Sequence, residues 1–294
     1  MSRHSSVAAA YLGVILIWST APLATKWSGE GPGFLFGVTS RMTIGFVCVL
    51  ILMAWQRLPL RRDRQAFAHY GAGTISLYGS ICLSYWAAQQ VPSGWISVIY
   101  GLTPLITAIL SRVWLGENSL TPRKLAALGV CVAGLGTIYA SAAHFGAHAG
   151  LGIGALLGGA VLHASSAVLI KRIDANMPAL ASVAGTLMLT APAYLVTFAL
   201  FDGHWPALLP MKSIVSILYL GIIGTTVGFA WYFHVLKHLS ATQVAMISLL
   251  TPVLALGAGF WLNHEPLTGR IIAGTALILT GMVLHEWARL RPAT

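Results

Sequence analysis

The chain reads YGLTPLITAILSRVWLGE over residues 100–117 and SLLTPVLALGAGFWLNHE over residues 248–265. Leu102-Thr103-Pro104 falls on Leu250-Thr251-Pro252, and Glu117 on Glu265, at one offset of 148 residues. One gap later the offset is 147, which brings Arg123 onto Arg270 and Gly134 onto Gly281. Near the start it is 145, which places Trp18 on His163 and Lys26 on Lys171. Matches of Leu, Ala and Gly between apolar segments are cheap, whereas matches of Pro, Glu and Arg at a nearly fixed offset are not. The chain is therefore read as two copies of one unit, residues 1–145 and 146–294.

The composition says what the unit is made of. Of 294 residues 57% are hydrophobic and 8% charged, with a mean hydropathy of +0.79. A soluble globular protein carries about a quarter charged residues, so that class is excluded, and so is disorder. Crossing a hydrocarbon core about 30 Å thick takes roughly 20 helical residues. Apolar runs of that order lie at residues 8–25, 33–55, 67–89, 94–116, 123–141, 150–170, 178–201, 211–234, 241–262 and 269–288. They are too long and too uniform for membrane strands, which alternate over about ten residues. The sequence thus predicts an all-α polytopic membrane protein of ten transmembrane helices, with hairpin turns at Pro122 and Pro266. Each copy holds five spans. Five being odd, the second copy enters the membrane from the opposite side, giving two inverted five-helix repeats about an axis in the membrane plane. Such a pair can exchange conformations, which is the basis of alternating access.

Charge sets the expected orientation. A formal charge of +10 would suggest nucleic acid in a soluble chain. Here the basic residues sit between apolar runs, so the partner expected is the lipid bilayer and no nucleic acid. Arg3, Arg57, Arg61, Arg62, Arg64, Arg123, Lys124, Lys171, Arg172, Lys237, Arg289 and Arg291 fall on the side of the termini, against Lys26, Lys212 and Arg270 opposite. The positive-inside rule then makes both termini cytoplasmic. The first run also looks like a signal peptide, with Arg3 ahead of it and small residues near Ala21, but its counterpart in mid-chain argues against that. Cys48, Cys82 and Cys131 lie inside apolar runs and offer no disulfide framework or metal spacing, so no cofactor is expected.

Polar groups in hydrocarbon need partners or water, so polar stripes at helical spacing point inward. Span 4 carries Ser97, Tyr100, Thr103, Thr107 and Ser111, and span 3 carries Thr74, Tyr78, Cys82, Tyr85 and Gln89. Shorter pairs are Tyr11 and Trp18, His163 and Ser166, Thr225 and Tyr232, and Ser248 and Thr251. A single hydroxyl can equally serve as packing between helices. Tyrosines interleaved with hydroxyls favour a cavity wall, because a phenol needs room. Pro104 and Pro252, matched by the repeat, each remove a helical hydrogen bond and are expected to kink spans 4 and 9 near a site. All seven acids lie in loops or at span ends. Arg41, about 12 Å below a span end at 1.5 Å per residue, costs about 2.5–3.5 kcal/mol to insert and is read as a structural clamp held by a carbonyl or a helix C-terminus. His163 can be a cavity contact, a proton-sensitive group or a histidine bonded to a neighbouring helix.

Trp18-Ser19 with Lys26 in span 1, Arg41 in span 2, and Leu-Thr-Pro followed by Gly-Glu or His-Glu after spans 4 and 9 resemble the drug/metabolite transporter superfamily. Within it the chain is most similar to the EamA-type ten-helix exporters, and in length and aromatic content to the YddG-type amino-acid exporters. The resemblance implies the corresponding transporter fold, spans 5 and 10 at the periphery, a place in the bacterial cell inner membrane, and export of small metabolites such as amino acids; a monomer would suffice. The expected substrate-binding residues are Trp18, Tyr78, Tyr85, Ser97, Tyr100, Thr103, His163, Tyr232, Ser248 and Thr251, with Trp18, Tyr78, Tyr100 and Tyr232 enclosing a side chain while Thr103, His163, Ser248 and the loosened backbone near Pro104 and Pro252 meet the polar end. The alternative in the same class is a multidrug exporter of apolar or aromatic cations. An acid-driven multidrug pump is disfavoured because span 1 lacks a glutamate, and phosphate-ester carriage because deep cations are too few. An intramembrane enzyme is disfavoured because neither His-Glu-x-x-His, nor Gly-x-Ser-x-Gly, nor a deep carboxylate pair is present.

Overall fold

A helix hydrogen-bonds its whole backbone internally, which suits apolar runs that must lie in hydrocarbon. The computed structural model describes residues 3–116, 121–141, 146, 148–238 and 241–290, and there the helical segments form ten rods with no strand. They are α1 (Arg3–Gly29), α2 (Phe34–Trp55), α3 (Arg64–Thr74, Ile75–Ser80 and Ile81–Ala88 in succession), α4 (Gly94–Tyr100 and Thr103–Leu115) and α5 (Pro122–Tyr139). The second set is α6 (Ala149–Ile173), α7 (Ala179–Phe201), α8 (Met211–Leu218, Tyr219–Val227 and Gly228–His238), α9 (Ala241–Asn263) and α10 (Gly269–Leu290). Among the described residues, Val7–Gly29, Phe34–Trp55, Gly94–Leu115, Ala149–Ile173 and Ala179–Phe201 are long and apolar enough to span a bilayer, and three shorter apolar stretches lie in α8, α9 and α10. Large apolar side chains face outward, with Ile51 64% and Trp261 76% exposed, as a lipid-facing surface requires.

Local chemistry places the rod ends. Asp63 caps α3, its carboxylate accepting from Ala66 N at 3.0 Å, and Arg61 Nε donates to the same side chain at 2.8 Å. The Arg61 hydrogen bond, followed by that from Ala66, holds the Asp63 carboxyl below its ordinary range. Thr121 caps α5 through Lys124 N at 3.3 Å, and Pro122 follows in the first turn, where its missing N–H costs nothing.

The packing obeys an exchange of halves. α1 packs on α8 and α9 while α6 packs on α3 and α4; α2 packs on α8 while α7 packs on α3; and α2 with α7, α4 with α9 and α5 with α10 pack as pairs. Swapping the halves maps each contact onto another of the set. The α5–α10 pair shows the axis at atomic scale. A Cβ on Gly134 would lie 2.6 Å from Gly274 O and 2.8 Å from Ile278, and one on Gly281 would lie 2.8 Å from Ala127 O and 2.3 Å from Cys131 Sγ. At the offset of 147, Ala127, Cys131 and Gly134 correspond to Gly274, Ile278 and Gly281, so the two contacts are one contact seen twice. Earlier residues of α5 meet later residues of α10, so the rods run antiparallel and the axis lies across them, in the membrane plane. These are inverted repeats, and α5 and α10 form a pair at the side of the bundle.

Two irregularities were absent from the sequence reading. Ile75–Ser80 in α3 and Tyr219–Val227 in α8 are π-helical, at equivalent places in the two halves. The wide turns are served by hydroxyls: Thr225 Oγ1 donates to Leu220 O at 2.9 Å, and Tyr194 OH lies 3.2 Å from Leu77 O and 2.8 Å from Tyr78 O. The matched prolines also differ. α4 is interrupted at Gly101-Leu102, so Pro104 opens a new segment, whereas α9 runs through Pro252 unbroken. At the break Gly101 lies so close to α10 that a Cβ would sit 2.9 Å from Met282 Sδ.

Gly134→Ala and Gly281→Ala are each expected to destabilise the fold by about 1–3 kcal/mol through overpacking against backbone. Gly129→Ala, with nothing within 4 Å, should be neutral or slightly stabilising. Thermal unfolding in detergent checks the contrast, and equal behaviour of the three would remove the interlock.

Candidate functional site

α3 and α8, the two rods with π turns, share no substantial packing, and the densest polar chemistry lies where α3 meets α4 and α6. Along α3, Ser76, Ser80 and Ser84 recur every four residues. Tyr100, at the end of the first segment of α4, places its hydroxyl 2.6 Å from Ser80 Oγ, 2.7 Å from Ser84 Oγ and 3.2 Å from Ser80 O. From α6, His163 Nδ1 lies 2.8 Å from Ser76 Oγ, and its ring meets Tyr100 edge-on at 6.0 Å. Gly159 makes this approach possible, since a Cβ there would stand 2.6 Å from the Tyr100 hydroxyl. His163 sits midway along α6 among these groups and is nonetheless solvent-exposed. An exposed imidazole in mid-helix, hemmed by three rods, lines an interior space rather than a packed seam. The cradle offers hydroxyl oxygens, the Ser80 carbonyl and one imidazole, a set suited to hydrogen-bonding a small polar ligand.

The other predicted residues fall in separate places. Trp18 on α1 and Tyr232 on α8 stack with centroids 4.8 Å apart and are half-buried. Tyr78 turns toward α7, its hydroxyl 2.5 Å from Thr197 Oγ1 and its ring 4.8 Å from that of Tyr194. Tyr85 is fully buried beneath Arg41, whose Cζ lies 5.9 Å from the ring centroid. Neither joins Tyr100. Ser97 and Thr103 are half-buried on α4 on either side of the break, the Thr103 hydroxyl without a partner, and Thr251 is buried on α9. The side chain of Ser248 lies outside the described residues, as does Glu117. Sequence reading followed a 3.6-residue stripe through Thr74, Tyr78, Cys82 and Tyr85 and passed over Ser76, Ser80 and Ser84. Their own spacing of four was the available signal. Among the described residues no cluster of His, Cys, Asp or Glu is arranged to hold a metal.

The far end of the bundle, opposite the start of α1, is tied shut around Glu265. This buried carboxylate accepts from Ser93 N at 2.9 Å, Ser93 Oγ at 3.0 Å and Asn263 Nδ2 at 3.0 Å, and its Oε1 lies 3.6 Å from Lys26 Nζ. Lys26 also donates to Val91 O at 3.1 Å, and Trp27 Nε1 to Asn263 Oδ1 at 2.7 Å. Lys212 completes the cover, 3.1 Å from Glu30 Oε2 and 4.4 Å above the Trp27 ring. One carboxylate thus binds α1, the α3–α4 turn and the α9–α10 turn. A separate apolar groove of about 520 Å³ opens sideways between α1 and α8, past Leu16, Thr20, Tyr219 and Trp231.

The profile of the EamA-like transporter family matches residues 5–140 and again residues 150–285. A probable terminal-alkyne amino-acid exporter of Streptantibioticus cattleyicolor is 27% identical over 92% of this chain and 90% of its own length. A probable amino-acid metabolite efflux pump of Escherichia coli (strain K12) is 27% identical over 97% and 95% respectively. The uncharacterized transporter YvbV of Bacillus subtilis (strain 168) is 26% identical over 92% and 88%. One solved crystal structure superposes with a TM-score of 0.67 at 23% identity, covering 99% of this chain and 100% of the other, a likeness of fold.

Removing Lys26 leaves a buried carboxylate without its cation, whereas removing Lys212 breaks a pair that is 46% and 39% exposed. Lys26→Met should therefore lower stability by about 1–3 kcal/mol, and Lys212→Met by less than about 1 kcal/mol. Thermal unfolding of the two variants reads the difference, and the reverse order would deny Glu265 its central role.

Proposed function

The chain belongs to the EamA-like transporter family, and from that premise we propose that it exports small zwitterionic metabolites, chiefly amino acids with apolar or aromatic side chains, by alternating access. The observation that carries this reading is the exposed His163 inside the bundle, cradled with Ser76, Ser80, Ser84 and Tyr100. The repeat makes Trp18 the counterpart of His163, so equivalent positions of the two halves carry an indole and an imidazole. The Trp18–Tyr232 stack and the hydroxyl cradle then form an apolar and a polar wall, which matches a ligand with one apolar and one polar end. Hydroxyl oxygens and the Ser80 carbonyl suit an ammonium. Two relatives named as an amino-acid exporter and an amino-acid metabolite efflux pump agree with this class.

The halves that move are residues 1–145 and 146–294, and the work is done by a monomer in a bacterial inner membrane. The basic loops put both termini in the cytoplasm, so the Glu265 tie closes the outward side. The repeat supplies Lys171 and Glu117 as counterparts of Lys26 and Glu265. Closure at the inner side uses the same pair of residue types, and the two ties alternate as the site turns from one face to the other.

Purified chain in proteoliposomes loaded with radiolabelled L-leucine or L-phenylalanine tests this. Wild type should release label on dilution, and Tyr100→Phe and His163→Ala should slow release about tenfold, as expected when a hydrogen-bonding partner of the ligand is lost. No release by wild type, or unchanged release by both variants, refutes the reading.

A further inference from the structure

Arg41 is a deep cation whose place in the structure the polar cradle does not explain. It lies on α2, seven residues below the end at Phe34, or about 10 Å at 1.5 Å per residue. Its backbone carbonyl abuts α8, where a Cβ on Gly221 would stand 3.2 Å from it, and its guanidinium reaches over the fully buried Tyr85 ring on α3. The side chain therefore reaches over α3, inside the bundle, and not toward lipid. The expected clamp to a carbonyl is absent: Arg41 Nε is buried without a hydrogen-bond partner, and none of the ion pairs among the described residues includes this guanidinium. The hydroxyl of Tyr85, the ring under the guanidinium, is also buried and without a partner.

A guanidinium and a phenol are both donors, and neither has an acceptor. Such groups are costly in a low-dielectric interior unless an anion completes them. Arginine presents a planar fork of donors that matches a carboxylate. Tyr85 also follows Ser84, which holds the Tyr100 hydroxyl, so Arg41 and the cradle flank the same turn of α3. We propose that Arg41 and Tyr85 form a carboxylate-binding subsite that selects anion-bearing substrates over amides and cations. The subsite rests on the transport reading above for its place in the pathway, and it assigns the two ends of an amino acid, the ammonium to the hydroxyl cradle and the carboxylate to Arg41. A cationic drug would meet a fixed positive charge at this depth, which sets this chain against that substrate class.

The full-length protein in detergent is titrated with 4-methylpentanoate and with 4-methylpentanamide, two probes that differ only in the anion, using thermal stabilisation and tryptophan fluorescence. Wild type should bind the acid at least about tenfold more tightly than the amide. Arg41→Gln should bring that ratio near unity, and Arg41→Lys should keep part of it. Should Arg41→Gln unfold, Tyr85→Phe carries the test, because it deletes only an unpartnered hydroxyl; it should leave thermal stability of the free protein unchanged or higher and weaken acid binding several-fold. Equal binding of acid and amide by wild type overturns the subsite, as does a preference that survives in both variants. Acid-selective binding abolished in Arg41→Gln supports it even if leucine flux fails, in which case only the amino-acid reading falls.

Discussion

Hydrocarbon supplies no hydrogen bonds, so each departure from regular helix inside a membrane must be answered by the protein or by an interior space. That constraint organises this molecule. Among the described residues seven of the ten rods are single continuous α-helices, and the departures concentrate on α3, α4 and α8. The π turns of α3 and α8 are served by Tyr194, Thr225 and Thr226, and the break in α4 directly follows Tyr100. Two of the three, α3 and α4, carry the serine stripe and Tyr100, which meet His163 of α6. Irregular backbone and polar side chains thus share one location, because both need the same relief from lipid.

Symmetry builds the frame and asymmetry builds the site. The α5–α10 interlock obeys the exchange of halves down to which glycine meets which carbonyl. At the centre the correspondence lapses. Trp18 stands against His163, Pro252 lies in a continuous helix while Pro104 opens a new one, and Arg41 has Thr186 at its counterpart. An exact duplicate would offer a ligand two like walls. In the proposed site, divergence at these positions gives one apolar wall, one polar wall and one positive charge, which is what an amphipathic ligand with a carboxylate can distinguish.

The ten rods were legible in the sequence because bilayer thickness fixes the length of an apolar run, and each rod overlaps a predicted span within a few residues. The inversion was legible from parity alone. The phase of the side chains along α3 was not. A π turn adds residues per turn without any residue type that announces it, so a stripe drawn at 3.6 residues drifts off its face. Tyr78 and Tyr85 accordingly turn to α7 and α2, and Ser76, Ser80 and Ser84 take the face they had been given. The want of a partner at Arg41 was illegible for another reason. Sequence shows that a deep arginine exists, but whether a carbonyl comes within reach depends on how the packed helices sit, which no local pattern encodes.

In the alternating-access reading, the tie at Glu265 has to be strong enough to seal and weak enough to release. A buried ion pair meets that need better than an apolar seam, because the Coulomb attraction and the desolvation of both partners nearly cancel. The carboxylate here is stabilised mostly by Ser93 and Asn263, with Lys26 at the longer distance of 3.6 Å. Opening that face returns a carboxylate and an ammonium to water, where each is well solvated, so the open state has no stranded charge. In the alternating-access reading, a tie that opens at little net cost leaves differential binding of a ligand enough to decide between the two states.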